Sequence, residues 1–458
     1  MTDIRSEAGK PAEDQPFDFA CDALAWHFGG IAPNKLIATT RQFPGHMRAD
    51  LQLAVESLFS ASAIRFFGIQ EPERYRTMTI ATLTMDNSEA PGIAPAQYRD
   101  VDVGDSTPVR CLQNGLWLCQ AAGIRYAVLL SSIRDPGCHP EARIEIAVTA
   151  GAAGEDLVQG CFLELEKAVT ASRCYRGKSL SLDNDLGYSG RWKGIMVHKL
   201  AAVDRGDVIL PEATLKLLDR NTLRFVESRA QLRRLGQSGH KGILLYGPPG
   251  TGKTHTIRYL ASNLPDHTTI IMTAAQITML DEYMELARLL QPSMVVIEDV
   301  DLIARDRDDM GSPCEEAMLN DLLNQMDGLK EDADILFVLT TNRPEQLEGA
   351  LAGRPGRVDQ AIEVPLPDEV GRGKLIRLYG KGLPLEEAIV AEAAERTNGV
   401  SAAFIKELMR RVAQSSIIRD GGNTVESGDV NEALAEMLVV GGGLNAMLLG
   451  GAQRKLDA

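Results

Sequence analysis

Apolar positions change their spacing twice along the chain. Between residues 17 and 203, short apolar runs mix with amphipathic stretches. RYAVLLSSI (125–133) and RIEIAVTA (143–150) read as strands. GEDLVQGCFLELEKAVTASR (154–173) reads as a helix with Leu157, Cys161, Leu165 and Ala168 on one face. RGKSLSL and GIMVHKL follow as further strands. The pattern predicts a separate α+β domain, with α/β as the alternative, and carries no legible chemistry.

From Arg205 the rhythm becomes regular. Pro211 opens one long helical pattern with Leu215, Leu218, Phe225, Val226, Leu232 and Leu235 on a repeating face, and Gly236 ends it. Apolar runs at Ile243–Tyr246, Thr268–Met272, Met294–Ile297, Ile335–Thr340 and Ala361–Val364 then alternate with helical stretches. Strand alternating with helix predicts an α/β unit with a parallel, doubly wound sheet. Beyond it GRGKLIRLYG, LEEAIVAEAAERT, SAAFIKELMRRVAQSSIIRD and SGDVNEALAEMLVV read as helices. The expected organisation is a disordered tail over 1–16, an N-terminal domain over 17–203, a large α/β domain over 204–366, a helical domain over 367–440 and a flexible tail over 441–458.

Composition narrows the classes. The 458 residues are 44% hydrophobic and 24% charged, as in ordinary globular proteins. A formal charge of −15 disfavours a nucleic-acid partner, which needs a basic face. No apolar run is long enough for a membrane span. The acidic start lacks the basic-then-apolar order of a secretory signal, and a cytoplasmic location is expected. The seven cysteines, at 21, 111, 119, 138, 161, 174 and 314, form no CxxC pair and read as reduced thiols.

Chemistry enters at GPPGTGKT, residues 247–254, between the apolar run KGILLY and the helical stretch TIRYLASNL. Gly247, Pro248, Pro249, Gly250, Thr251 and Gly252 form a loop whose backbone N–H groups can point inward at phosphate oxygens. Lys253 supplies a positive charge to the β and γ phosphates, and Thr254 offers its hydroxyl to Mg2+. The predicted ligand is therefore ATP with Mg2+. MVVIEDVD (294–301) ends a buried strand in acids, at the edge where open α/β sheets bind ligands. One carboxylate of Glu298 and Asp299 would hold the metal and the other would polarise the attacking water. Asn342 closes ILFVLTTN and could orient that water; a turn or helix-cap role is its alternative. Arg354 and Arg357 in GRPGRVD (353–359) could stabilise charge on a transferring phosphoryl group, or simply be solvated in a turn.

Other signals are weaker. DNDLG (183–187) lacks the later bidentate acid of a calcium loop and reads as a turn. Cys138 and His139 sit among Pro136, Gly137 and Pro140, as in a loop. Arg173, Arg176, Lys178, Arg191 and Lys193 read as a solvated face.

In this order the four pieces resemble the AAA proper branch of the AAA+ ATPases, over about half of the chain. The resemblance implies that Gly247–Thr254 is Walker A and Val295–Asp299 is Walker B, with Glu298 on the metal and Asp299 activating water. It puts Asn342 at the first sensor position, and Arg354 and Arg357 on the arginine-finger turn that reaches a neighbouring subunit's ATP. NDLLNQMDGL (320–329) matches the helix after Walker B. Three departures stand out: the Walker B acids are inverted to Glu298-Asp299, the lid motif is Ser401-Ala402-Ala403, and the segment from Met272 to Val295 is short, without the aromatic-hydrophobic-Gly loop of threading machines. The motor segment is similar to the mitochondrial translocase type that handles the Rieske protein. The resemblance implies ATP hydrolysis in a ring homo-oligomer, a hexamer, coupled to remodelling, assembly or translocation of a protein partner chosen by residues 17–203. The alternative is an ATP-binding assembly switch with weak hydrolysis.

Overall fold

The structure is a computed structural model describing residues 16–70, 77–87, 90–133, 141–171, 174–182, 194–303, 321–326, 328, 333–347 and 358–440. The chain divides into two compact units, residues 1–174 with 182–196, and residues 175–181 with 197–458.

The first unit is α+β. Its main sheet has the order β1 (Leu36–Pro44), β8 (Glu141–Thr149), β7 (Ile124–Ile133), β6 (Gly115–Ala121), β2 (Ala63–Ile69), β3 (Ile93–Ala94), and each of these pairs is antiparallel. A separate hairpin joins β4 (Tyr98–Val101) to β5 (Val109–Leu112). Both faces of the main sheet are covered. Helices α2 (Arg48–Phe59) and α4 (Ala152–Ala171) bury Val55, Phe59 and Phe162 with Trp117, Val128 and Ile146 on one face. On the other, α1 (Ala20–His27) and α3 (Ile80–Leu83) bury Leu24, Ile80 and Leu83 with Leu118, Ala127 and Leu129. Neighbours such as Val128 and Leu129 therefore enter opposite cores, which is why YAVLL is a continuous apolar run without alternation.

A seven-stranded sheet, built mostly from the second unit, has the order β10 (Ile195–His198), β9 (Ser179–Leu182), β12 (Thr268–Thr273), β13 (Ser293–Glu298), β14 (Ile335–Thr341), β11 (Lys241–Tyr246), β15 (Gln360–Glu363). The five strands expected from the apolar runs lie together, and their neighbours pair in parallel. Parallel register brings Tyr246, Ile297 and Thr341 toward one edge, since Tyr246 pairs with Thr341 and Ile297 with Leu339. Everything that follows these strands starts from that edge.

Two features differ from expectation. The sequence pattern places strands 179–182 and 195–198 with residues 17–203, whereas β9 pairs in parallel with β12 in the second sheet. The peptide N–H of Gly177 also donates to Thr268 Oγ1 at 3.1 Å. The long helix opened by Pro211 is two helices, α5 (Glu212–Asn221) and α6 (Leu223–Arg234), broken at Thr222 with φ −119° and ψ −89°. Asn221 Nδ2 donates to the Leu217 carbonyl at 2.8 Å and Thr222 Oγ1 to that of Leu218 at 2.7 Å. Such side-chain bonds to carbonyls one turn back bend or break helices. Gly236 does end α6 in the left-handed region, with φ +72°.

Helices α7 (Lys253–Asn263) and α8 (Leu280–Leu289) flank the parallel sheet in sequence. Four more follow it: α9 (Glu369–Tyr379), α10 (Glu387–Arg396), α11 (Ala402–Asp420) and α12 (Ser427–Ala435). These four share a core that includes Leu375, Ile376, Phe404, Leu408, Val412 and Val430. Ser401 caps α11, its Oγ accepting the Phe404 N–H at 3.2 Å. Among the described residues, no helix is long and apolar enough to cross a membrane.

Candidate active site

The loop after β11 turns sharply because three of its glycines adopt positive φ: Gly247 +148°, Gly250 +76° and Gly252 +106°. A Cβ on Gly247 would lie 2.3 Å from the Val364 carbonyl oxygen, and one on Gly250 would lie 2.9 Å from Ser401 Oγ. Gly252 then leads into α7, which begins at Lys253. The positive end of the helix thus faces the loop. Thr251 Oγ1 donates to the Pro248 carbonyl at 2.9 Å, closing the turn.

Lys253 is buried and folds back over this loop. Its ammonium donates to the carbonyls of Gly247 at 2.7 Å and Pro248 at 3.0 Å. Burial pushes its pKa down, while Asp299 and Asp301 oppose the shift. Thr254 Oγ1 donates to Glu298 Oε1 at 2.9 Å. The two residues that sequence assigned to Mg2+ therefore meet, although they come from a helix and from a strand two positions away in the sheet.

The second acid is held differently. Asp299 leaves β13 in the left-handed region, with φ +53°, which aspartate tolerates better than most residues. Its peptide N–H donates to Thr340 Oγ1 at 3.0 Å, and its Oδ1 accepts from Asn342 Nδ2 at 3.0 Å. The Asn342 side chain thus meets the second acid. Asp301, assigned no role from sequence, accepts at one oxygen from Thr341 Oγ1 at 3.0 Å and from the Asn342 N–H at 3.2 Å. The only trace of this in the sequence is a third acid in VIEDVD and a polar Thr340-Thr341 pair ending an apolar strand.

The helical domain reaches the same loop. The N–H of Ala403, at the start of α11, donates to the Gly250 carbonyl at 3.0 Å. A side chain at Gly250 would also crowd Ala403, its Cβ lying 3.0 Å from that of Ala403. On the opposite flank His255 Nε2 lies 3.2 Å from the Asp207 carbonyl. The short segment between β12 and β13 contains α8, and Gln325 ties that helix to 321–326 by donating to Asp281 at 2.8 Å and accepting from Arg288 at 2.7 Å.

Arg354, Arg357, the DNDLG segment, Cys138, His139, Arg173, Arg191, Lys193 and both chain tails as far as residue 15 and from 441 lie outside the described residues. Arg176 is not a free surface charge: it donates to the carbonyls of Gln291 and Leu289, each at 3.2 Å.

The donor set suits a magnesium nucleotide. A buried ammonium, inward-turning glycines and a helix start serve polyphosphate. A hydroxyl beside a carboxylate offers the oxygen ligands that magnesium prefers. A second carboxylate, oriented by an amide, could polarise water.

Residues 243–366 match the family "ATPase family associated with various cellular activities (AAA)". The chain is 35% identical over 197 residues to the cell division cycle protein 48 homolog of Archaeoglobus fulgidus, covering 41% of this chain and 27% of that protein. It is 35% identical over 220 residues to the proteasome-activating nucleotidase of Saccharolobus solfataricus, covering 45% and 55%. It is 30% identical over 252 residues to the ATP-dependent zinc metalloprotease FtsH of Thermus thermophilus, covering 52% and 40%. The chain thus spans about a quarter to just over half of the length of these curated relatives.

Proposed function

We propose that the chain, whose residues 243–366 match the AAA ATPase family, hydrolyses ATP to remodel, assemble or translocate a protein partner. The observation that carries this reading is the meeting of Thr254 with Glu298 beside a buried Lys253. Gly247–Thr254 would wrap the polyphosphate. Thr254 and Glu298 would hold Mg2+, which when bound withdraws charge from the phosphates. Lys253 would neutralise the β and γ groups. Asp299, oriented by Asn342, would accept a proton from the attacking water.

The relatives named for proteasome activation and metalloprotease action favour a protein substrate over nucleic acid, as does the net charge of −15. By the same family resemblance, the working form would be a ring of copies, a hexamer, in which Arg354 or Arg357 completes the neighbour's site. Residues 17–203 would select the partner. Similarity to the Rieske translocase type remains a proposal drawn from the inverted acids and the short segment after Met272, and a cytoplasmic location one drawn from sequence.

A second reading is an ATP-driven assembly switch with slow hydrolysis, favoured by one observation. The acid at the water position is aspartate, one methylene shorter than glutamate, and Asn342 already engages it. Steady-state turnover of Mg-ATP by the full chain separates the two. Lys253→Ala abolishes nucleotide binding under either reading. Asp299→Asn keeps binding and stops turnover only if hydrolysis is the working step. Turnover that survives Lys253→Ala overturns both.

A further inference from the structure

Asp301 has no task in the hydrolysis proposed for this site, yet the fold spends a buried carboxylate on it. Its side chain is 1% exposed. Withdrawing a carboxylate from water is costly unless strong hydrogen bonds replace the lost hydration. Here Asp301 Oδ1 takes two donors from the end of β14, the Thr341 hydroxyl and the Asn342 peptide N–H. The same Asn342 sends its side-chain amide to Asp299.

Strand pairing fixes these residues only in part: Thr341 pairs with Tyr246 of β11 and Glu298 with Thr273 of β12, but Asp299 and Asn342 follow the last residues of their strands. The parallel register between β13 and β14 ends at Ile297 and Leu339. Between these two strands no pair holds Asp299 against Asn342. Past that point side chains set the geometry: Thr340 Oγ1 accepts the Asp299 N–H, and Asp301 grips both the residue that orients Asp299 and the one before it. Asp299 is also in the left-handed region, a conformation that surrounding contacts must maintain.

We infer that Asp301 is a positioning residue for ATP hydrolysis, holding Asn342 so that Asn342 holds Asp299 at the place where water must lose its proton. The inference rests on the assignment of Asp299 above. A short acid leaves little slack, and misplacement of about 1 Å can cost two orders of magnitude in rate.

The test sets geometry against charge in the full chain. Asp301→Asn keeps an oxygen able to accept both bonds and removes the charge. Asp301→Glu keeps the charge and moves the oxygens by one methylene. With Asn retaining turnover within about threefold, and Glu losing about 10- to 100-fold at saturating Mg-ATP while nucleotide affinity stays within about threefold, the inference stands. Adding Asp301→Glu to Asn342→Ala should slow the enzyme no further, since both changes act through one contact. The reverse order, with Asn inactive and Glu normal, overturns it, as does a full extra loss in the double variant. Amide hydrogen exchange over residues 341–343 reports the same contact without turnover. It should accelerate in Asp301→Glu and not in Asp301→Asn. Unchanged exchange in both overturns the positioning role, and inactivity of the parent with the expected exchange pattern faults only the hydrolysis assignment.

Discussion

The side-chain amide of Asn342 and the carboxylate of Asp299 are joined at 3.0 Å, across the ends of two neighbouring parallel strands. An amide can donate to a carboxylate while turning its oxygen elsewhere, so Asn342 can orient an acid and a water together.

Removing that donor should act on the rate and spare binding. Asn342→Ala is expected to lower kcat about 10- to 100-fold. Affinity for a fluorescent ATP analogue should change by less than about threefold, because the bond removed is the one to Asp299. Equal losses in both quantities would reassign Asn342 to nucleotide binding.

Magnesium should be felt through Glu298. Since its carboxylate already meets the Thr254 hydroxyl, Glu298→Gln should raise the magnesium concentration needed for half-maximal turnover by about tenfold or more, a loss of roughly 1.4 kcal/mol. Nucleotide binding in excess chelator should be the same in parent and variant. A normal magnesium titration would place the metal elsewhere.

The phosphate loop tolerates no side chain at its first glycine. Gly247→Ala would bring a Cβ to 2.3 Å from the Val364 carbonyl, at a φ of +148°. We expect a destabilisation of about 1–3 kcal/mol, read as a lower urea midpoint, together with weakened ATP binding. A variant as stable as the parent would contradict the close approach.

Acid sensitivity should trace in part to His267. It is buried beside Arg229, whose Nη1 lies 3.4 Å from the ring. Burial first, and Arg229 second, push its pKa down to about 4. The unfolded chain, with histidine near 6.5, therefore binds the proton more readily between pH 6.5 and 4. Stability from this residue is intact above pH 6.5 and is lost as pH falls toward 4. From pH 7.5 to 5 the loss is about 2 kcal/mol, and His267→Gln should show a shallower fall in Tm over that interval than the parent. Parallel pH profiles would remove His267 from the account.

The second unit was more legible than the first, for physical reasons. Strands such as MVVI and ILFVL are buried on both faces and announce themselves as apolar runs, and GPPGTGKT must use those residue types wherever a loop encloses phosphate. Strand β9 is only SLSL, and its place is set by pairing with a strand almost ninety residues away. Strand β1 is largely exposed, its Ala38–Gln42 stretch wholly so, with β8 its one sheet neighbour among the described residues; ATTRQ offers no alternation to read. The break at Thr222 hid inside an unbroken helical period, because a hydroxyl turning back to Leu218 leaves no mark on hydrophobic spacing. At the site, motif spacing points to Lys253, Thr254 and the Glu298-Asp299 pair as candidates, while the division of roles between the two acids rests on the family resemblance. The link from Asp301 to Asn342 could not, since it depends on where two strands stop pairing.

The bond from Ala403 to Gly250 gives the helical domain leverage. Nineteen residues of α11 extend from that point to Asp420, a rod about 28 Å long at 1.5 Å per residue. Its near end is pinned to the loop that would enclose phosphate. Its far end carries Ile417 and Ile418, 60% and 77% exposed. A small tilt at the pinned end sweeps those two side chains through a much larger arc, so a change of one phosphate group at the loop would be amplified into a displacement of oily surface far from the chemistry.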